Sequence, residues 1–279
     1  MRIDVTARIR KRYLQPYQLE ELGRRFPSAS QSIYMEIIRT REDPELHAFI
    51  ATLESWGLHA KGLAEQVSEN NFDLRISRAY DESDLSSSEL LQVLPPECME
   101  IDWLDTGEGV RSANLPPKGT DFARDSPYNP VMVFETVRAI LAGAGMLGLG
   151  FRELKLVKAI DRGVETYEFK PWPKDKGPWW IMESSVTLPQ LTGPLSEFDD
   201  RDGTFHAPGT HGFRLVEKGF NDVEFHYRRS ELQPLGTFDV AQTMHGGPSR
   251  SIVVSPRFYR FCREQGFRVG FKPVRIDEE

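Results

Sequence analysis

Apolar and polar residues alternate over Arg2–Ile9, over Ser32–Arg39 (Ile33, Met35, Ile37) and over Phe72–Tyr80. Alternation of this kind predicts strands, because successive side chains of an extended chain face opposite sides. Tyr17–Phe26 has the spacing of a short helix. Asp43-Pro44-Glu45 marks a second helix start: the Asp carboxylate can accept free backbone N–H groups, and Pro fits the first turn. Leu46, Phe49, Ile50 and Leu53 then share one helical face, and Gly57 can end the helix in a left-handed conformation. The pattern further predicts a short helix over Leu85–Val93, a strand over Met99–Leu104 and a helix over Val131–Ala142 with Val133, Phe134, Val137, Ile140 and Leu141 apolar.

Strands dominate from Arg152 onward: Leu154–Ile160, Val164–Phe169, Trp179–Met182, Phe213–Val216 and Val223–Tyr227. Residues 106–129 and Pro189–Gly212 are rich in Gly, Pro, Asn and Asp and read as loops. The C-terminal stretch is the most sharply punctuated. Ser251–Ser255 is a β-branched strand, Ser255-Pro256 opens a helix through Gln265 with Phe258, Phe261 and Cys262 inward, Gly266 ends it, and Phe267–Ile276 returns as a strand. The chain thus reads as α+β, with mixed or antiparallel sheets, a few short flanking helices and a closing strand–helix–strand unit. The expected organisation is an N-terminal domain over 1–110, a linker over 111–129 and a C-terminal domain over 130–279.

Composition narrows the class. With 39% hydrophobic residues in 279, the chain has the apolar content to fold. No apolar run follows the charges of the first fifteen residues, and Pro130–Gly150 carries Glu135 and Arg138, so neither a secretory signal nor a membrane span is expected. A cytoplasmic protein is the expectation, with Cys98 and Cys262 as inert reduced thiols. The net charge of −7 argues against a general nucleic-acid coat.

That charge is unevenly placed. Residues 1–41 balance at +5 and residues 246–279 at +3, so the middle carries −15. Nine acids fall in Asp81–Glu108, with no Lys or Arg among them. Such a segment suits contact with a basic protein partner, because an opposite patch speeds and orients association. Glu97, Glu100, Asp102, Asp105 and Glu108 are the candidate contact residues, since nearby prolines and Gly107 and Gly109 suggest an exposed loop.

Other motifs have less specific chemistry. Gly143-Ala144-Gly145-Met146-Leu147-Gly148 has the dinucleotide spacing, but a helix precedes it and a strand follows, the reverse of what that fingerprint needs. It reads as a helix end and turn. His206 and His211, with Asp199, Asp200 and Asp202, supply metal-ligating side chains and an alternative reading as a metal-dependent hydrolase. The chain contains no G-x-S-x-G elbow, P-loop, H-E-x-x-H or C-x-x-C, so no nucleophile, cofactor or catalytic residue is assigned. Arg8-Ile9-Arg10-Lys11-Arg12-Tyr13 fits the charged outer face of an edge strand better than an RNA contact. Trp172, Trp179 and Trp180 suit either a ligand platform or the small core of a hairpin.

Gly236–Thr243, Ser251–Phe258, Gly266 and Phe271-Lys272-Pro273-Val274 follow in an order that resembles the closing segment of bacterial immunity-type proteins. The likeness is to the myxobacterial double-CXXCG paralogues, which include Sit-type contact-dependent immunity proteins. Leu191–Leu195 and the strand–Tyr80–helix pattern at 74–91 add to it. The similarity covers about the last 90 residues. The chain has neither CXXCG motif, so no structural zinc carries over. The resemblance implies a small cytoplasmic binding protein that neutralises a toxin, or a relative of one; together with the charge pattern it gives the expectation of a non-enzymatic protein-binding protein with no cofactor or metal and no nucleic-acid or membrane partner.

Overall fold

The computed structural model describes residues 1–29, 33–60, 68–103, 109–114, 118–125, 130–159, 167–173, 176–191, 195–198, 215–217, 224–244 and 251–278. The fold is α+β, with mixed and antiparallel sheets and short helices. Contacts divide the chain into two compact units, Met1–Asp81 with Val216–Val223, and Glu82–Leu215 with Glu224–Glu279.

The first unit contains β1 (Arg2–Arg10), α1 (Pro16–Arg25), β2 (Tyr34–Thr40), α2 (Pro44–Ser55), β3 (His59–Ala60) and β4 (Asn71–Ala79). Its sheet runs β2-β1-β4-β3. Alternation turns Val5, Ala7 and Ile9 into a core completed by Met35, Ile37, Leu22 of α1, and Leu46, Phe49 and Leu53 of α2. Phe26 meets Phe49 edge-on at 5.2 Å. The predicted α2 start is present: the Asp43 carboxylate accepts the Glu45 N–H at 2.8 Å. Gly57 follows the helix with φ +79°. β1 pairs on both sides, with β2 and β4, so the basic run begins on an inner strand rather than an edge.

The remaining elements are α3 (Glu82–Ser87), β5 (Leu90–Leu94), β6 (Glu97–Trp103), β7 (Gly109–Asn114), β8 (Phe122–Asp125), β9 (Val131–Phe134), α4 (Glu135–Gly143), β10 (Leu149–Ala159), β11 (Tyr167–Lys170) and β12 (Trp179–Ser184). They continue with β13 (Leu195–Phe198), β14 (Leu215–Glu217), β15 (His226–Arg228), α5 (Arg229–Leu232), β16 (Val240–Gln242), β17 (Ile252–Val254), α6 (Pro256–Glu264) and β18 (Gly270–Asp277). β13 and β14 form a two-stranded sheet.

The larger sheet runs β11-β10-β12-β9-β8-β6-β7, and β7 also pairs with β10. The pairings therefore close a ring of β10, β12, β9, β8, β6 and β7. Its two faces feed different cores. Phe122, Val131, Val133 and Met182 join α4 and α6 in one, and Ala123, Met132, Ile181, Trp179 and Leu154 form the other.

This double burial explains two departures from the sequence pattern. Val131, Met132 and Val133 are all buried, so the segment lacks alternation and imitates a helix; it is β9, and the helix begins only at Glu135. Likewise Leu90, Leu91 and Val93 are buried in β5, and the helix expected over Leu85–Val93 ends at Ser87. Within the expected loop 106–129, Gly109–Asn114 and Phe122–Asp125 are strands β7 and β8. The contact division falls after Asp81 rather than at 111–129.

The strand–helix–strand closure is present as β17, α6 and β18, with β5 paired between the two strands. Ser255 caps α6, and Phe258, Tyr259 and Cys262 face the core. The five-stranded sheet is completed by β15 beside β18 and by β16 beside β17. Among the described residues, no helix is long and apolar enough to cross a membrane.

Candidate functional site

The acidic segment splits into parts with different surroundings. Glu82 opens α3, and its carboxylate accepts the Tyr259 hydroxyl at 2.6 Å and an Arg263 N–H at 3.4 Å. Glu89 accepts two N–H groups of Arg229, at 2.7 and 3.0 Å, and these bonds hold its carboxyl below the usual carboxylate range. Arg229 also donates to Glu278, at 2.9 Å to each oxygen. Two of the nine acids are thus already matched by arginines from the C-terminal part of the same chain.

Glu97, Glu100 and Asp102 lie on β6, opposite Ala123, Asn114 and Ser112 in register. They sit on a strand paired on both sides, in line with the strand expected over Met99–Leu104 and not with the exposed loop expected of the contact residues. Met99, Ile101 and Trp103 alternate with Glu100 and Asp102, the period of two that a strand requires. Asp105 and Glu108 lie outside the described residues.

His206, His211, Asp199, Asp200 and Asp202 also lie outside the described residues. Among the described residues, no group of three or more His, Cys, Asp or Glu side chains has an arrangement that could hold a metal ion. Cys262 is buried, and burial pushes its thiol up to about 12, so it carries no thiolate at neutral pH.

The tryptophans have structural partners. The Trp172 indole donates to the Leu154 carbonyl at 3.0 Å, and Trp179 donates to the Lys176 carbonyl at 3.1 Å. Both rings pack into the smaller core of the ring sheet. Trp180 lies against the Arg138 guanidinium, 4.6 Å from its ring centroid. The hairpin-core reading therefore accounts for Trp172 and Trp179, whereas Trp180 packs against the other core. On β1, Arg8 pairs with Asp73 at 2.8 Å and Arg10 donates to the Tyr34 hydroxyl at 3.1 Å. These contacts make the start of the basic run part of a charged sheet face.

Two polar clusters were not singled out by the sequence pattern. Asp239 is buried and accepts from Ser255 Oγ at 2.8 Å, Arg257 at 2.6 Å and the Leu147 N–H at 2.9 Å. It ties the cap of α6 to the turn before β10. The second is His226, 5% exposed, between two carboxylates. Its Nδ1 lies 3.2 Å from Asp277 and its Nε2 3.6 Å from Glu224. The available signal was Glu-x-His in an extended segment, since residues two apart share a strand face.

The two carboxylates flank opposite ring nitrogens, so they do not converge on a common point for an ion. The nearby Glu224 carboxylate raises the imidazole above its ordinary range; burial opposes this, and the bond and charge of Asp277 add to it. No family model, curated protein or solved structure matches this chain.

Proposed function

We propose that this protein is a non-enzymatic, cytoplasmic, immunity-type binding protein that neutralises a cognate toxin by direct contact through its acidic segment. The observation that carries the reading is the concentration of nine acids, without a Lys or Arg, in Asp81–Glu108. A field of one sign attracts a basic partner and orients the encounter. The arginine pairs at Glu82 and Glu89 illustrate the chemistry that such a partner would extend. The C-terminal resemblance to immunity proteins supplies the functional class, and β6 is the contact element that the reading favours.

The test begins with the reading frames adjacent to this gene. One product should arrest growth when expressed alone, and this chain should relieve the arrest. Replacing Glu97, Glu100 and Asp102 together by Lys should weaken binding to that product at least about tenfold and flatten its salt dependence, as loss of charge steering requires. Circular dichroism would check that the variant is folded. Equal affinity and equal salt dependence in a folded variant would remove the acidic segment from the contact.

A further inference from the structure

β15 is three residues long and stands at one end of its sheet order, paired only with β18 among the described residues. The ladder is short: His226 opposite Arg275, Tyr227 opposite Ile276 and Arg228 opposite Asp277. One backbone bond precedes it, from the Arg275 N–H to the Phe225 carbonyl at 2.8 Å. So short an edge pairing has little cooperativity of its own and relies on side chains.

The side chains at this junction are ionisable. Glu224 and His226 are both buried, and Asp277 is half-buried. An imidazolium donates from both nitrogens, whereas a neutral imidazole has one N–H and one lone pair. Here both nitrogens face carboxylates, so loss of the proton leaves a lone pair directed at a negative oxygen.

We propose that Glu224, His226 and Asp277 form a proton-operated latch that fastens the edge strand β15 to the C-terminal strand β18. With the proton in place, one cation joins the residue entering β15 to the end of β18. Without it, one of the two links becomes repulsive, and β15 is held by its short ladder and by Arg229 on Glu278 and Glu89.

The surrounding charges are consistent with this. On β18, Arg275 lies 3.7 Å from Asp277 and is largely exposed, and the buried Lys272 falls on the alternate face of the strand. Helix α3, packed on β18, carries Glu82 and Asp84, of which Glu82 is engaged by Tyr259 and Arg263. Helix α5 adds Arg229 and Glu231 beyond the strand. Tyr227, next to His226, is buried with its phenol pushed well above the ordinary range, so it stays neutral.

The direction of the pH effect follows from the raised proton affinity of the folded state. The latch contributes fully below the unfolded histidine value of about 6.5 and is lost as pH rises through the higher folded value.

Proton NMR on the full chain would follow the His226 ring, assigned by its absence in His226→Gln. Amide exchange of β15, corrected for intrinsic rates, would be compared at pH 6 and pH 8 with Val253 in β17 as reference. A ring midpoint above about 6.5 is expected, with β15 protection lost as pH rises from 6 to 8. Val253 should not change, and His226→Gln should flatten the β15 response.

A midpoint at or below about 6.5, or the same loss of protection in His226→Gln, would overturn the latch. Glu224→Gln and Asp277→Asn, each removing one charge while keeping shape, should lower the midpoint. An unchanged midpoint in both would overturn it equally, even if His226→Gln fails to fold.

Discussion

Gly148 adopts φ +85°, and a Cβ built on it would run into the Val240 carbonyl and crowd Ser184 and Val186. Gly57 has nearly the same φ, +79°, but open space where its Cβ would be. The pair separates two costs that a sequence cannot separate. A left-handed conformation for a residue with a Cβ costs about 1–2 kcal/mol. Collision in a packed site adds about 1–3 kcal/mol. Gly57→Ala should therefore lose about 1 kcal/mol in urea unfolding, and Gly148→Ala about 3 kcal/mol or more. Equal losses would mean that the backbone at 148 moves freely enough to relieve the contact. The same residue resolves the Gly143–Gly148 motif: its glycines serve a helix end, a turn and a close backbone approach, which a spacing pattern alone cannot distinguish from a phosphate cradle.

At the scale of elements, the closing unit depends on one hydroxyl with two tasks. Ser255 Oγ accepts from the Phe258 N–H at 3.3 Å, capping α6, and donates to Asp239 at 2.8 Å. Ser255→Ala should cost about 1 kcal/mol as a lost cap. Asp239→Ala also strands the Leu147 N–H and removes the carboxylate from Arg257, which keeps the Ala144 and Gly145 carbonyls, and should cost about 2–3 kcal/mol. Because the two residues share a bond, the double variant should lose less than the sum of the singles, and strict additivity in a double-mutant cycle would contradict the coupling. The cap itself was legible in Ser255-Pro256, as was the α2 start in Asp43-Pro44, because local hydrogen bonding and ring geometry act within a few residues. Strands with one core face, such as β1 and β4, were legible through alternation. β5 and β9 were not, because burial on both faces erases the period of two, and the ring closure of β7 on β10 depends on pairing between residues far apart in sequence. Asp239 was missed for a related reason: its partners, Leu147 and Arg257, come from distant segments. The proposed contact role of Glu97, Glu100 and Asp102 rests on charge, which a sequence displays; the strand holding Glu100 and Asp102 was legible over Met99–Leu104, while its partners β7 and β8 were not.

Across the whole molecule, the segregation of charge is partly satisfied within the chain: Glu82 and Glu89 from the acidic middle meet Arg263 and Arg229 from the C-terminal part. Such exposed pairs contribute little to stability each. What holds each compact unit is apolar burial, and the two units have separate cores. Phe49 is fully buried in the first, against Phe26, and Phe258 is fully buried in the second, on the inner face of α6. A unit with its own core has the physical means to unfold on its own. Removing either ring should cost about 3–5 kcal/mol, a loss large enough to move a melting transition by many degrees. Scanning calorimetry of the full chain should therefore resolve two transitions, one lowered by Phe49→Ala and the other by Phe258→Ala, each leaving its counterpart in place. A single transition displaced by both substitutions would instead show that the chain unfolds as one cooperative body, and that the stability of each core is shared across the boundary at Asp81.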